Sequence, residues 1–235
     1  MLDQLMALDA DLLIFLNSFH IPVLDRFVML FTGRWAWIPM YASLLYVLIR
    51  AYNPRRVIIF TLGIALAILL SDQIVASVLR PIFQRLRPAN LENPLSEFVQ
   101  IVEGYRGGRY GFPSCHGANS FALAVYMSLI VRRPRFVIYI FIWALLNCYT
   151  RNYLGVHYPG DIIVGAIIGS TIAAACAWLA RKATRTTRRD NWEAMGAPLL
   201  PGAEGALHKL MIFDATVITG IATAVVLLII AIFRA

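Results

Sequence analysis

The chain has 235 residues, of which 60% are hydrophobic and only 14% charged, and its mean hydropathy is +0.69. An average soluble protein carries about 25% charged residues, so this composition excludes an ordinary soluble globular fold and points to an integral membrane protein. The net charge of +8 is divided among the flanks of apolar segments, which fits anionic headgroup contact and argues against a nucleic acid partner.

In chain order, residues 1–22 are predicted as an N-terminal amphipathic, interfacial element. Within it Leu5–Phe19 is helical, with Asp9 and Asp11 on the polar side. The acidic start lacks the basic region of a cleavable signal peptide, so a span is expected to direct insertion. The apolar run Val23–Ile49 is interrupted by Gly33-Arg34 and by Pro39, which predicts a kinked or two-part helix. A span at Val57–Leu79 follows, with Asp72 and Gln73 near its far end. Residues 80–112 form a polar loop rich in Arg, Gly and Pro. Spans are then expected at His116–Val131, Phe136–Tyr149 and Asp161–Ala180, since a crossing takes roughly 20 apolar residues. A basic cytoplasmic linker at 182–211 leads to an added C-terminal transmembrane helix at 212–235, with its span at Phe213–Phe233. The expected fold class is all-α, a polytopic transmembrane helical bundle of about six spans whose core covers 23–181.

Arg50, Arg55, Arg56, the Arg132-Arg133-Pro134-Arg135 turn and the Arg181–Arg189 cluster fall on one side, which the distribution of positive charge makes cytoplasmic. The 80–112 and 151–158 loops then face outward together. They nevertheless carry Arg80, Arg85, Arg87, Arg106, Arg109 and Arg151, a grouping that suggests an anionic ligand. Cys115, Cys148 and Cys176 suggest neither a disulfide framework nor a zinc site, and no metal or cofactor is expected.

Three stretches carry chemistry. Arg80 and Arg87 are seven residues apart, on one face if the stretch is helical, and Pro88 ends it. Arginine binds phosphate oxygens as a fork and stays charged at any working pH. Pro113-Ser114-Cys115-His116 precedes an apolar run, so Ser114 reads as a helix N-cap whose backbone N–H groups favour an anion, and His116 as a general acid. His157 and Asp161 flank Tyr158-Pro159-Gly160. Pro159 suits the first position of the next helix, and the Asp161 carboxylate can take Nδ1–H of His157, leaving Nε2 free to attack phosphorus. Arg151 precedes His157 by six residues.

Taken together, these stretches resemble the three signature motifs of the type 2 phosphatidic acid phosphatase superfamily, which also includes vanadium haloperoxidases and glucose-6-phosphatase. The family pattern is Lys/Arg, six residues, Arg-Pro; then Pro-Ser-Gly-His; then Ser-Arg, five residues, His, three residues, Asp. Here Arg80 leads to Arg87-Pro88, and Thr150-Arg151 leads to His157 and Asp161. Arg80 replaces the commoner lysine, Cys115 the motif glycine and Thr150 the serine. The resemblance covers roughly residues 57–180. It implies a membrane-bound, metal-independent phosphatase acting on a phosphorylated lipid; with the charge pattern and the small size and compact loops, the active site is expected on the periplasmic side of a bacterial inner membrane. It makes His157 the nucleophile, Asp161 its orienting group, His116 the acid, and Arg80, Arg87, Arg151 and Ser114 the phosphate grip. Undecaprenyl diphosphate, phosphatidylglycerophosphate, phosphatidic acid and lipid A are candidate substrates. Two other readings stand beside it: a catalytically impaired binding protein of this fold, with Cys115 as the lesion, and a transporter using the arginines and Asp72.

Asp72 is expected to pair with a site arginine, and Arg106 and Arg109 to grip a headgroup from a glycine-rich lid. Asn119 and Asn147 are expected to bond between helices, Trp35, Trp37 and Trp143 to sit at interfaces or in packing, and His20 and His208 to lack partners.

Overall fold

The computed structural model describes residues 1–33, 35–184 and 203–234. Regular structure among them is helical, apart from one isolated bridge between Leu86 and Tyr110. The helices are α1 (Leu2–Leu16), α2 (Pro22–Phe31), α3 (Ile38–Ala51), α4 (Pro54–Gln73), α5 (Arg80–Phe83), α6 (Cys115–Val131), α7 (Pro134–Tyr153), α8 (Pro159–Thr184) and α9 (Ala203–Arg234). Prolines mark the starts: Pro22, Pro39, Pro54, Pro134 and Pro159 all lie in the first two helical positions, where the missing N–H costs nothing. Pro39 therefore opens α3 instead of kinking a longer helix. The chain turns between Phe31 and Ile38, and the Trp37 indole fixes that turn by donating to the Phe31 carbonyl at 2.8 Å.

Among the described residues three helices are long and apolar enough to cross a membrane: the continuous segment Pro54–Phe83, α8, and Asp214–Arg234 of α9. Shorter apolar helices, α3 and α6, pack among them, and α7 adds twenty residues. The span expected at Val57–Leu79 is not uniform. After α4 a π-helical turn, Ile74–Leu79, leads into α5, and Gln84 in the left-handed region (φ 47°) stops it. Arg80 and Arg87 are thus not two turns of one helix. One ends a membrane helix and the other lies in the loop beyond it.

α6 occupies the middle of the bundle, packed on α4, α7 and α8. The α6–α8 approach depends on small residues. A Cβ built on Gly165 would lie 2.3 Å from the Ser114 carbonyl oxygen, and one on Gly169 would lie 2.0 Å from that of Ala118. Two glycines four apart let the backbones touch, the usual device for close packing in a bilayer. That contact sets the first turn of α6 against the first turn of α8. The principal core lies below it, around Tyr126, Met127, Phe136, Ile140 and Trp143. Trp37 and Trp143 meet edge to face at 5.6 Å inside this core, whereas Trp35 is exposed.

The C-terminal helix α9 packs on α2, α3 and α7, with Arg135 and Asp214 paired at 3.5 Å. Most of the expected linker and the side chain of His208 lie outside the described residues. At the other end of the bundle, α1 is drawn into the fold. Leu13 is buried with Val99 and Tyr158, while Leu5, Leu8, Leu12 and Phe15 remain exposed. His20 does have partners: Nδ1 lies 2.7 Å from the Asp25 carboxylate, and its ring stacks on Tyr153. Asn119 bonds between helices as expected, but Asn147 donates to the Trp143 carbonyl of its own helix at 3.5 Å. The three cysteines are free.

Candidate active site

The α6–α8 contact brings the second and third stretches together. The Ser114 backbone N–H donates to the Asp161 carbonyl at 2.9 Å. Ser114 caps α6, its hydroxyl oxygen accepting the Gly117 N–H at 3.3 Å. That bond uses a lone pair only, so the hydroxyl proton is available to a phosphate oxygen.

His157 and Asp161 are both buried. Nδ1 of His157 lies 3.3 Å from Oδ2 of Asp161, and the same oxygen accepts the Tyr158 N–H at 3.0 Å. Nη1 of Arg87 lies 3.1 Å from Nε2 of His157. An arginine can only donate. Nε2 must therefore carry the lone pair and Nδ1 the proton, which is the tautomer a nucleophilic imidazole needs. Burial holds the His157 imidazolium well below its usual range, and Arg87, Arg151 and Arg80 push the same way. The ring is neutral at working pH.

The arginines converge on this ring from three elements. Arg80, from the end of the α4–α5 segment, donates Nε to the Pro113 carbonyl at 3.1 Å. Arg87 donates Nε to the Tyr110 carbonyl and Nη1 to the Val156 carbonyl, at 3.1 and 3.2 Å. Burial, then the charges of Arg80 and Arg151, lower the Arg87 guanidinium to about 10, so it remains a cation. Arg151, near the end of α7, donates Nη1 to Thr32 and Nη2 to the Tyr105 hydroxyl, each at 2.9 Å, and its Nε is buried without a hydrogen-bond partner. Like charges this close repel. A dianion placed among them would relieve that repulsion. His116 lies within the electrostatic reach of His157, Arg87, Arg80 and Arg151.

The remaining expectations fare differently. Asp72 accepts from the Asn119 amide at 3.1 Å, and no ion pair among the described residues joins it to a site arginine. Cys115, at the first position of α6, stands beside Asp72. Arg106 donates to the Ala89 carbonyl at 2.8 Å, and Arg109 pairs with Glu92 at 2.7 Å on the surface. Neither arginine joins the cluster. The loop that holds them is tied down where it passes the site, with Arg87 N bonded to the Arg109 carbonyl and Gly111 N to the Arg85 carbonyl. Its contribution is Tyr105, whose hydroxyl Arg151 holds. Burial raises the Tyr105 phenol, but Arg151 and Arg87 outweigh it and leave it below its usual value.

Three participants escape sequence reasoning. Arg85 pairs with Asp161 at 3.0 Å and with Asp9 at 2.8 Å. Asp9 also accepts the Gly160 N–H at 2.7 Å. Gly111 backs the histidine–aspartate pair so closely that a side chain there would touch Asp161 and Arg87. Among the described residues no group of three His, Cys, Asp or Glu could hold a metal.

Residues 60–185 match the model of the PAP2 superfamily. The chain is 45% identical over 190 residues to a lipid A 4'-phosphatase of Bacteroides thetaiotaomicron, covering 81% of this chain and 84% of that protein. It is 30% identical over 175 residues to an undecaprenyl-diphosphatase of Sulfolobus acidocaldarius, covering 73% and 78%. The crystal structure of LpxE from Aquifex aeolicus superposes with a TM-score of 0.52 at 25% identity, over 73% of this chain and 93% of that one. With the matched region spanning more than half the chain and the apolar helices around it, this protein is an integral membrane lipid phosphatase that belongs to the PAP2 superfamily.

Proposed function

We propose that the chain removes a phosphate from lipid A or a closely related phosphorylated glycolipid at the outer face of a bacterial inner membrane. The reaction passes through a phosphohistidine on His157. The observation that carries this reading is the Arg87–His157–Asp161 line, which holds the imidazole neutral with Nε2 as its only free lone pair. A substrate phosphoryl group takes the place of that Arg87–His157 bond, with its nonbridging oxygens on Arg80, Arg87, Arg151 and the Ser114 hydroxyl. Nε2 forms the bond to phosphorus, and the bond to the lipid oxygen breaks. His116 supplies the proton to that oxygen. Asp161 holds Nδ1–H and balances the positive charge that grows on the ring. Water, giving its proton back to His116, then cleaves the N–P bond and releases phosphate. No step requires a metal.

The outward placement rests on the basic residues. Arg50, Arg55, Arg56, Arg132, Arg133 and Arg135 flank the helix ends opposite the cluster, which supports a cytoplasmic assignment for that side. The 45% identical relative favours lipid A as the substrate, and the 30% identical undecaprenyl-diphosphatase supports a second reading, a diphosphate on a polyprenyl carrier. Phosphate release by the purified protein in detergent with EDTA, from each lipid in turn, decides between them. Preferential release from lipid A, lost in His157→Ala, is expected. Preference for the polyprenyl diphosphate moves the assignment to the second reading, and retention of turnover by His157→Ala overturns both.

A further inference from the structure

The polar face of α1 is turned toward the catalytic carboxylate instead of lying in the interface. Asp161 is fully buried, and its two oxygens are divided among three donors. Oδ2 takes the Tyr158 N–H and faces Nδ1 of His157, and Oδ1 takes Nη1 of Arg85 at 3.0 Å. Arg85 is itself held. Its guanidinium lies over the Tyr158 ring, 3.7 Å from the centroid, and Nη2 reaches Oδ2 of Asp9 at 2.8 Å. The other oxygen of Asp9 accepts the Gly160 N–H at 2.7 Å. That N–H is one of the unpaired donors of the first turn of α8, one residue before Asp161. Asp9 therefore grips both the arginine that orients Asp161 and the backbone that carries it.

We infer that Asp9 is a positioning residue for the reaction, acting through Arg85 to hold the Asp161 carboxylate against His157. The charges explain why a second carboxylate is useful. Arg85 alone would neutralise Asp161 and weaken it as an acceptor for Nδ1–H. Sharing Arg85 with Asp9 leaves the three groups with one net negative charge facing the imidazole. That charge is needed when Nε2 bonds to phosphorus and the ring becomes positive. The arrangement also links catalysis to how α1 is seated, since the same helix leaves Leu5, Leu8, Leu12 and Phe15 exposed along the flank beside Asp9. Asp9 is absent from the family motifs because it lies 151 residues from the backbone it holds.

The test is a double-mutant cycle on Asp9→Asn and Arg85→Gln, read as kcat and KM for phosphate release from lipid A, or from the polyprenyl diphosphate if the wild type prefers it, in mixed micelles, with thermal unfolding of each variant. Asp9→Asn is expected to lower kcat about tenfold, with KM within about twofold because Arg80, Arg87 and Arg151 still grip the phosphate. The double variant should be no slower than Arg85→Gln alone, since Asp9 acts through Arg85, and Asp9→Glu should recover part of the loss. Wild-type kcat in Asp9→Asn, a loss confined to KM, or additive effects in the double variant would each overturn the inference. If Asp9→Asn does not fold, Asp9→Glu carries the same test, made both with and without Arg85→Gln. The wild type's preference among lipids bears on the proposed function alone, and the ratios among variants bear on this inference alone.

Discussion

Gly111→Ala is the substitution whose effect follows most directly from the geometry. The new methyl would sit 3.0 Å from Oδ2 of Asp161, 3.1 Å from Cγ of Arg87 and 3.5 Å from Nδ1 of His157. Comfortable contacts to carbon are about 3.5 Å, so the first two groups must retreat by roughly 0.4 Å while the third is merely touched. Both groups act on His157, one through Nδ1 and one through Nε2. A misplacement of 1 Å can cost about 100-fold in rate, and on a logarithmic scale 0.4 Å corresponds to about sixfold. The expected kcat is thus about five- to tenfold below wild type, with a stability cost on the order of 1 kcal/mol. Gly108→Ala is the control, because a Cβ there meets nothing within 4 Å, and it should leave turnover unchanged. The assay is steady-state phosphate release in detergent with EDTA, beside thermal unfolding. Full activity in Gly111→Ala, or equal losses in both variants, would refute the placement of Gly111 behind His157 and Asp161.

Other consequences can be checked in the same preparations. Arg87→Lys keeps the charge but cannot span the Tyr110 and Val156 carbonyls and Nε2 of His157 together, so kcat/KM should fall by about 100-fold or more; a loss under threefold would show that only charge matters there. Gly169→Val drives a side chain into the Ala118 carbonyl, which neither backbone can yield, so it should prevent recovery of folded protein, and a wild-type melting temperature would contradict the close α6–α8 contact. For pH, His157 resists protonation when folded but titrates near 6.5 when unfolded. The unfolded chain then binds more protons below about pH 6.5, so stability falls with acidification by up to about 1.4 kcal/mol per pH unit and is independent of this group above it. Melting temperatures at pH 7.5 and 5.5 should converge in His157→Gln relative to wild type, and an identical acid loss in both would remove His157 as the cause.

Much of the membrane fold was legible because it rests on local rules. Apolar runs of about 20 residues located most of the helices, and Pro159 marked the start of α8. The Gly165-Ala-Ile-Ile-Gly169 spacing behind the α6–α8 contact was passed over, because hydropathy does not register small residues as a packing surface. His157 and Asp161 were readable because their four-residue spacing is itself a geometry. The left-handed Gln84 was not readable, since a glutamine carries no signal for that conformation, and so whether Arg80 and Arg87 share a helix face stayed open in the sequence. Arg85 and Asp9 were hidden for a different reason. Arg85 is 76 residues from Asp161 in sequence, and only the docking of α1 on Tyr158 and Val99 brings Asp9 to them. Arg106 and Arg109 misled because a glycine-rich, arginine-bearing loop looks the same whether it grips a ligand or, as here, the Ala89 carbonyl and Glu92.

The most direct test of the central claim is to quench the purified protein in alkali during turnover of its lipid substrate with EDTA present, and to map phosphate by mass spectrometry. Phosphate is expected on the peptide containing His157, absent from His157→Ala, which should also release no phosphate. Phosphate found on Ser114 or Cys115, or undiminished release by His157→Ala, would contradict it.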